Sequence, residues 1–157
     1  MRSLTLRCLL PALVICAGAL SAGASGDTIL GVWMTQPTDK GWAHVEIAKS
    51  GDRYHGTIVN LDNPNFPAGD PMAGKPKVDR ENPEASLKSR PILGLRLMDG
   101  FTYAGDGVWE DGTIYDPESG KTYSCKMTLV GDTLKVRGYI GISLLGRTTE
   151  WTRVPTH

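Results

Sequence analysis

Thr122-Tyr123-Ser124-Cys125-Lys126-Met127-Thr128-Leu129-Val130 is the stretch on which the fold turns. Tyr123, Cys125, Met127 and Leu129 alternate with Thr122, Ser124, Lys126 and Thr128. Successive side chains of an extended chain point to opposite faces, so a period of two marks a strand with one apolar face. Gly131-Asp132 turns the chain into a second run, Thr133–Tyr139. Upstream, Asp116-Pro117-Glu118-Ser119-Gly120 suits a type I turn closed by a left-handed glycine, the pattern of a bulged hairpin. Before it, Val108-Trp109 and Thr113-Ile114-Tyr115 flank the turn pair Asp111-Gly112.

The same grammar recurs outward in both directions. Thr28–Met34 opens the series. Trp42–Ala48 and Arg53–Leu61 read as a hairpin around Ser50-Gly51-Asp52. Ile92–Met98 resumes after a break, Gly100–Asp106 bends or continues it, and Arg147–Val154 follows the glycine-flanked connection Gly141–Gly146. About eight short strands and almost no helical periodicity predict an all-β chain. With no helices to cover its apolar face, such a sheet must fold on itself, and the short hairpin spacing favours an antiparallel up-and-down barrel. The segment Asp62–Pro91 cannot be a central strand, because Pro64, Pro67, Pro71, Pro76, Pro83 and Pro91 remove ladder donors. It reads as one long Pro/Gly-rich loop, with a short helix started by Asn82-Pro83 and ended by Lys88. A loop of this length is either a lid or other functional element or an inert, partly mobile insertion.

The first residues carry a different signal. Arg2 and Arg7 precede an apolar run, Cys8–Ala19, and then the small residues Ala22-Gly23-Ala24. This is the three-part pattern of a cleaved export signal over residues 1–24, leaving a single barrel domain over 25–157 and a periplasmic or secreted location. The run is too short to span a bilayer comfortably, so no transmembrane span is expected in the mature chain. Neither Cys8 nor Cys16 has the small preceding residue of a lipid-attachment site. Cys125 alone would remain, which rules out an internal disulfide. Acidic and basic residues number 17 each, and no basic patch supports a nucleic-acid partner.

The catalytic search finds little. No phosphate-cradling loop, dinucleotide fingerprint or metalloprotease motif is visible. Cys125 lies mid-strand, and a buried thiol there is inert. His44 and His55 fall short of the four ligands of a structural zinc site, so no metal and no cofactor is expected. Glu110 and Asp111 are adjacent on a turn and do not face each other across a cleft.

The run Gly112–Tyr123, together with Leu134–Gly141, Leu145–Arg153, Gly31-Val32-Trp33, Asp79-Arg80-Glu81-Asn82-Pro83 and Arg90-Pro91, resembles DUF2147, a family of small exported bacterial proteins of unknown function. The resemblance covers nearly all of the chain after the leader. It implies a lipocalin-like barrel and no established enzyme activity, substrate or cofactor. Gly31-x-Trp33 also resembles the opening motif of lipocalins, in which the tryptophan packs across one end of the barrel against a late-strand arginine. Arg147 or Arg153 would take that part here.

Two classes of residue follow. Gly31, Trp33, Asp116, Gly120, Trp151 and Arg153 are expected to be structural, with Asp116 capping its own turn. Trp109, Tyr123, Arg90, Arg137 and Tyr139 are the candidates to line a ligand site, the rings giving apolar surface and an arginine meeting an anionic head group. The leading expectation is a binding module for a small apolar or amphipathic ligand. An envelope structural protein that holds a protein partner is the alternative, and an enzyme of unknown class is a further one.

Overall fold

The computed structural model describes residues 25–155. The expected export signal, residues 1–24, lies outside that range, so the division at residue 24 remains an expectation. Eight strands form one closed antiparallel barrel in sequence order: β1 (Gly31–Met34), β2 (Ala43–Ser50), β3 (Arg53–Leu61), β4 (Arg96–Gly105), β5 (Val108–Asp116), β6 (Lys121–Val130), β7 (Thr133–Tyr139) and β8 (Arg147–Arg153). The ring closes where β1 pairs with β8 through Trp33 opposite Arg153 and Met34 opposite Thr152. Closure removes both sheet edges, which is how an all-β chain without helices avoids an exposed ladder.

The alternation read from β6 holds. Cys125 and Met127 are buried, and their partners Gly112, Trp109 and Val136 lie on the same inner face. Cross-strand partners share a face, so register and apolar pattern fix each other. Two local irregularities depart from the sequence reading. Asp111-Gly112 is not a turn but a bulge inside β5, with Asp111 at φ 63° and a register shift between Trp109 and Gly112. The β4–β5 turn is made earlier in the chain, by Asp106 and Gly107, both left-handed. Gly112 faces inward because the ring of Phe101 lies where its Cβ would be, 2.4 Å away.

The two ends of the barrel differ. The hairpins after β2, β4 and β6, the entry to β1 and the exit from β8 all lie at one end. There a 3-10 helix, Gly26–Ile29, is capped by the Ser25 hydroxyl accepting from the Asp27 amide. Ile29 is fully buried, and its carbonyl accepts from Trp33 Nε1 at 2.8 Å. Arg153 donates to the carbonyls of Leu30 and Thr28 at 2.9 and 2.6 Å, with its guanidinium 4.2 Å from the centroid of the Trp33 ring. Of the two late-strand arginines, Arg153 is therefore the one that backs the tryptophan. Asp27 ties the plug down further, accepting from Tyr54 Oη at 2.9 Å and from Lys49 Nζ at 2.8 Å. Trp151 is buried beside this floor, paired with Leu134.

The other end carries residues 35–42, 62–95, 117–120 and 140–146 between strands. The long loop is organised by its own contacts. Asn65 bridges Pro76 and Val78 bridges Pro91, while Phe66 is buried under the Arg80 guanidinium at 4.4 Å. Its end is stitched to β3, with Ile58 N donating to Leu95 O and Gly94 N to Ile58 O. Asn82 begins a turn by accepting from the Glu84 amide at 2.9 Å, but the helix that follows is only a 3-10 turn, Ala85–Leu87. The amides of Leu87, Lys88 and Arg90 donate to Glu84 O, Ala85 O and Leu87 O, three residues back, in place of the four-residue spacing of an α-helix.

Candidate binding site in the barrel

The polar residues of the long loop converge on one buried carboxylate. Asp79 is fully buried and accepts from Arg90 Nε at 2.7 Å, Asn82 Nδ2 at 2.8 Å and Tyr115 Oη at 2.6 Å. Its own amide donates to Arg90 O, and its carbonyl accepts from the Asn82 amide. Tyr115 is next to the inward Ile114 and therefore stands on the outer face of β5. Burial first, and then the Asp79 carboxylate, push its phenol above its ordinary value. Gly120, at φ 67°, lies against the loop so closely that a Cβ would sit 2.0 Å from Glu81 O. The loop thus straps the outer wall at β5–β6, and its polar residues are spent on one another.

The ligand candidates separate accordingly. Arg90 is paired with Asp79 outside the barrel. Arg137 pairs with Lys126, on the outer face, and donates to Ser143 O, Leu144 O and Thr148 Oγ1. Tyr139, opposite Ser124, is also on the outer face. None of these three lines the interior: Arg137 and Tyr139 each fall one residue away from the inward set Cys125, Met127, Val136 and Gly138, and Arg90 belongs to the loop outside the wall. Tyr123 and Trp109 do face inward. Tyr123 is half-buried near the mouth, opposite Ile114. Trp109 is fully buried deeper in the barrel, 5.0 Å from Tyr103 and 6.3 Å from Tyr54 between ring centroids.

Two features of the interior were not visible in the sequence. Among the described residues, no group accepts a hydrogen bond from the buried Nε1 of Trp109. An indole donor held dry without an acceptor costs roughly 1–3 kcal/mol. Arg147 pairs with Gly138 and so shares the inner face at the mouth, exposed, with no carboxylate among the described residues paired to it. Alternation from Trp151 would have placed Arg147 inward, had the register been known.

The lower barrel is filled by Trp33, Phe101, Trp109, Met127, Leu134 and Trp151. The upper interior is lined by smaller or half-buried groups: Ala43, Leu61, Ile114, Tyr123, Gly138 and Thr149. Two surface hollows lie elsewhere. One, of about 310 Å³, runs along the outer wall between the strap and Arg96, Thr113 and Thr122. The other, of about 360 Å³, flanks the plug at Asp27, Lys49 and Thr102. No group of three or more His, Cys, Asp or Glu among the described residues is placed to hold a metal. His44 instead stacks on Trp42 at 4.5 Å. Cys125 is buried and its thiol is pushed up to about 12 by burial.

Comparison with solved structures gives one protein of the same fold. Protein HP1028 from the human pathogen Helicobacter pylori, described as belonging to the lipocalin family, superposes with a TM-score of 0.68 at 21% identity over 80% of this chain and 82% of its own. No curated protein matches. The model of a family described as "Uncharacterized protein conserved in bacteria", DUF2147, matches residues 31–153. With all eight strands, the bulged β5 and the strap inside that span, this chain belongs to the DUF2147 family.

Proposed function

We infer that the protein is an extracytoplasmic binding protein that takes a small amphipathic molecule tail-first through the upper barrel toward Trp109. The observation that carries this reading is the indole N–H of Trp109, buried inside the closed barrel with no acceptor among the described residues. Such a donor is expensive unless something in the lumen accepts from it. Met98 and Met127, both almost fully buried, are unbranched side chains that repack readily around an entering chain. At the mouth, Tyr123 supplies a ring and Arg147 a cation suited to a carboxylate or similar head group. The leader-like first residues of the sequence and the barrel shape support a place outside the cytoplasm.

The test is native mass spectrometry of protein purified from its own envelope, followed by titration with dodecanoate. The expected result is one small amphiphile per chain, displaced by dodecanoate. Thr149→Trp, which fills the upper barrel, should lose both. Bare protein from the envelope, with no dodecanoate adduct at any concentration below micelle formation, would sink the reading.

A further inference from the structure

The connection between β7 and β8 exposes more apolar surface than any other part of the described chain. Ile140, Ile142, Leu144 and Leu145 are 70%, 61%, 83% and 81% exposed. Large aliphatic side chains clustered this densely, and this exposed, mark a surface that is covered in use. The segment is also built rather than slack. Ser143–Leu145 form a 3-10 turn in which Leu145 N donates to Ile142 O and Gly146 N to Ser143 O. Arg137 adds donors to Ser143 O at 2.6 Å and Leu144 O at 3.2 Å. Gly146 abuts β7 with no room for a side chain, a Cβ there lying 2.6 Å from Gly138 O.

We propose that this tip docks the protein on a lipid bilayer, with Ile142, Leu144 and Leu145 entering the interfacial region. Two physical requirements of that medium are met. Carbonyls that leave water must be satisfied internally, and those of Ile142, Ser143 and Leu144 all are. Charges must stay at the level of the phosphates, and residues 138–146 contain none, while Arg137 and Arg147 stand immediately on either side. Arginines at the base of an apolar wedge pair with phosphate oxygens as the wedge sinks, and Tyr139 beside them is of the type that favours the interface. No described helix is long and apolar enough to cross a membrane. The inference does not depend on a ligand in the barrel.

Flotation of the purified protein with vesicles of phosphatidylethanolamine and phosphatidylglycerol tests it. The wild type should float with the vesicles, and Leu144→Asp combined with Leu145→Asp should lower the partition coefficient on the order of a hundredfold, since each leucine side chain is worth about tenfold or more. Both positions are exposed, so an unchanged near-ultraviolet circular dichroism spectrum is expected. Leu93→Asp, at an exposed position outside this tip, should leave flotation unaltered. Thr149→Trp should also float, which separates docking from ligand binding. Failure of the wild type to float, equal flotation of the double variant, or a lipid-free dimer that the double variant dissolves would each overturn the proposal, the last by making a second copy the cover.

Discussion

Removing the Asp79 carboxylate, by Asp79→Ala, should release the strap without opening the barrel. Asp79 accepts hydrogen bonds from Arg90, Asn82 and Tyr115. Bonds to a charged acceptor contribute roughly 1.5–3 kcal/mol each. Against them stands the cost of holding a fully buried carboxylate out of water, several kcal/mol. Arg90, with its side chain 34% exposed, recovers hydration once freed, so its share is discounted. Asn82 is 5% exposed and recovers little. The net loss is about 3 kcal/mol of local stability, in line with breaking a buried ion pair from one side. At 1.4 kcal/mol per factor of ten, strap amides should exchange on the order of a hundredfold faster. The informative amides are those at position 79, at Asn82 and at Ile92, which donate to Arg90 O, Asp79 O and Lys77 O. Amides between β6 and β7 should keep their wild-type rates. Hydrogen exchange read by mass spectrometry or NMR decides it. Acceleration under about fivefold in the strap, or equal acceleration in β6–β7, would refute the picture of a strap held by one carboxylate.

Three further outcomes follow from the floor and the core. Arg153→Ala should cost about 2 kcal/mol in urea unfolding, with Arg153→Lys recovering little, because a lysine cannot bond two carbonyls while lying flat on Trp33. The Asp27 carboxyl is held below its ordinary 3.8 by bonds from Lys49 and Tyr54, and that of Asp70 by the Met72 amide and Arg80. A lowered folded value contributes stability that is complete above the unfolded value and lost as pH falls through the folded one. The thermal midpoint should therefore hold steady down to about pH 4 and drop below it, with the acid limb shallower in Asp27→Asn. Cys125, with its thiol pushed up to about 12 and no exposure, should resist a thiol reagent in the native state at pH 8 and titrate as one group in denaturant.

The barrel was legible because period-two alternation is a local signal. Tyr123 to Leu129 show which face is inner without any knowledge of their partners. Conversion of that pattern into a site needs register, which is not local. Arg137 and Tyr139 look like lining residues until their pairing with Lys126 and Ser124 puts them outside. A single bulge has the same power. Asp111-Gly112 has the composition of a hairpin turn, yet here the left-handed Asp111 bends β5 so that Gly112 fits under Phe101. Arg153 over Trp33 was within reach of the sequence, since the first and last strands must meet in a closed ring. The Trp109 donor and the self-satisfied tip were not, because both depend on what does and does not surround an atom.

The distribution of polar groups bears on where function can reside. Asp79, Asn82, Arg90 and Tyr115 have the residue types of a catalytic cluster, but every carboxylate oxygen of Asp79 is taken by a neighbour in the same cluster. A site so consumed has nothing left for a substrate, and its substitution should appear as lost stability. Tyr123, Thr149, Arg147 and Leu144 have the opposite character. They are half-buried or exposed, and neither Arg147 nor Leu144 holds another element by its side chain. Replacement of Tyr123, Arg147 or Leu144 should leave unfolding nearly unchanged while altering what the protein binds or where it sits; Thr149 also accepts from the buried Trp151 Nε1, so its replacement carries a stability cost as well. Two classes of variant that separate in this way would place the working surface at the mouth and its rim. Loss of binding that tracked strap stability instead would return attention to the outer wall.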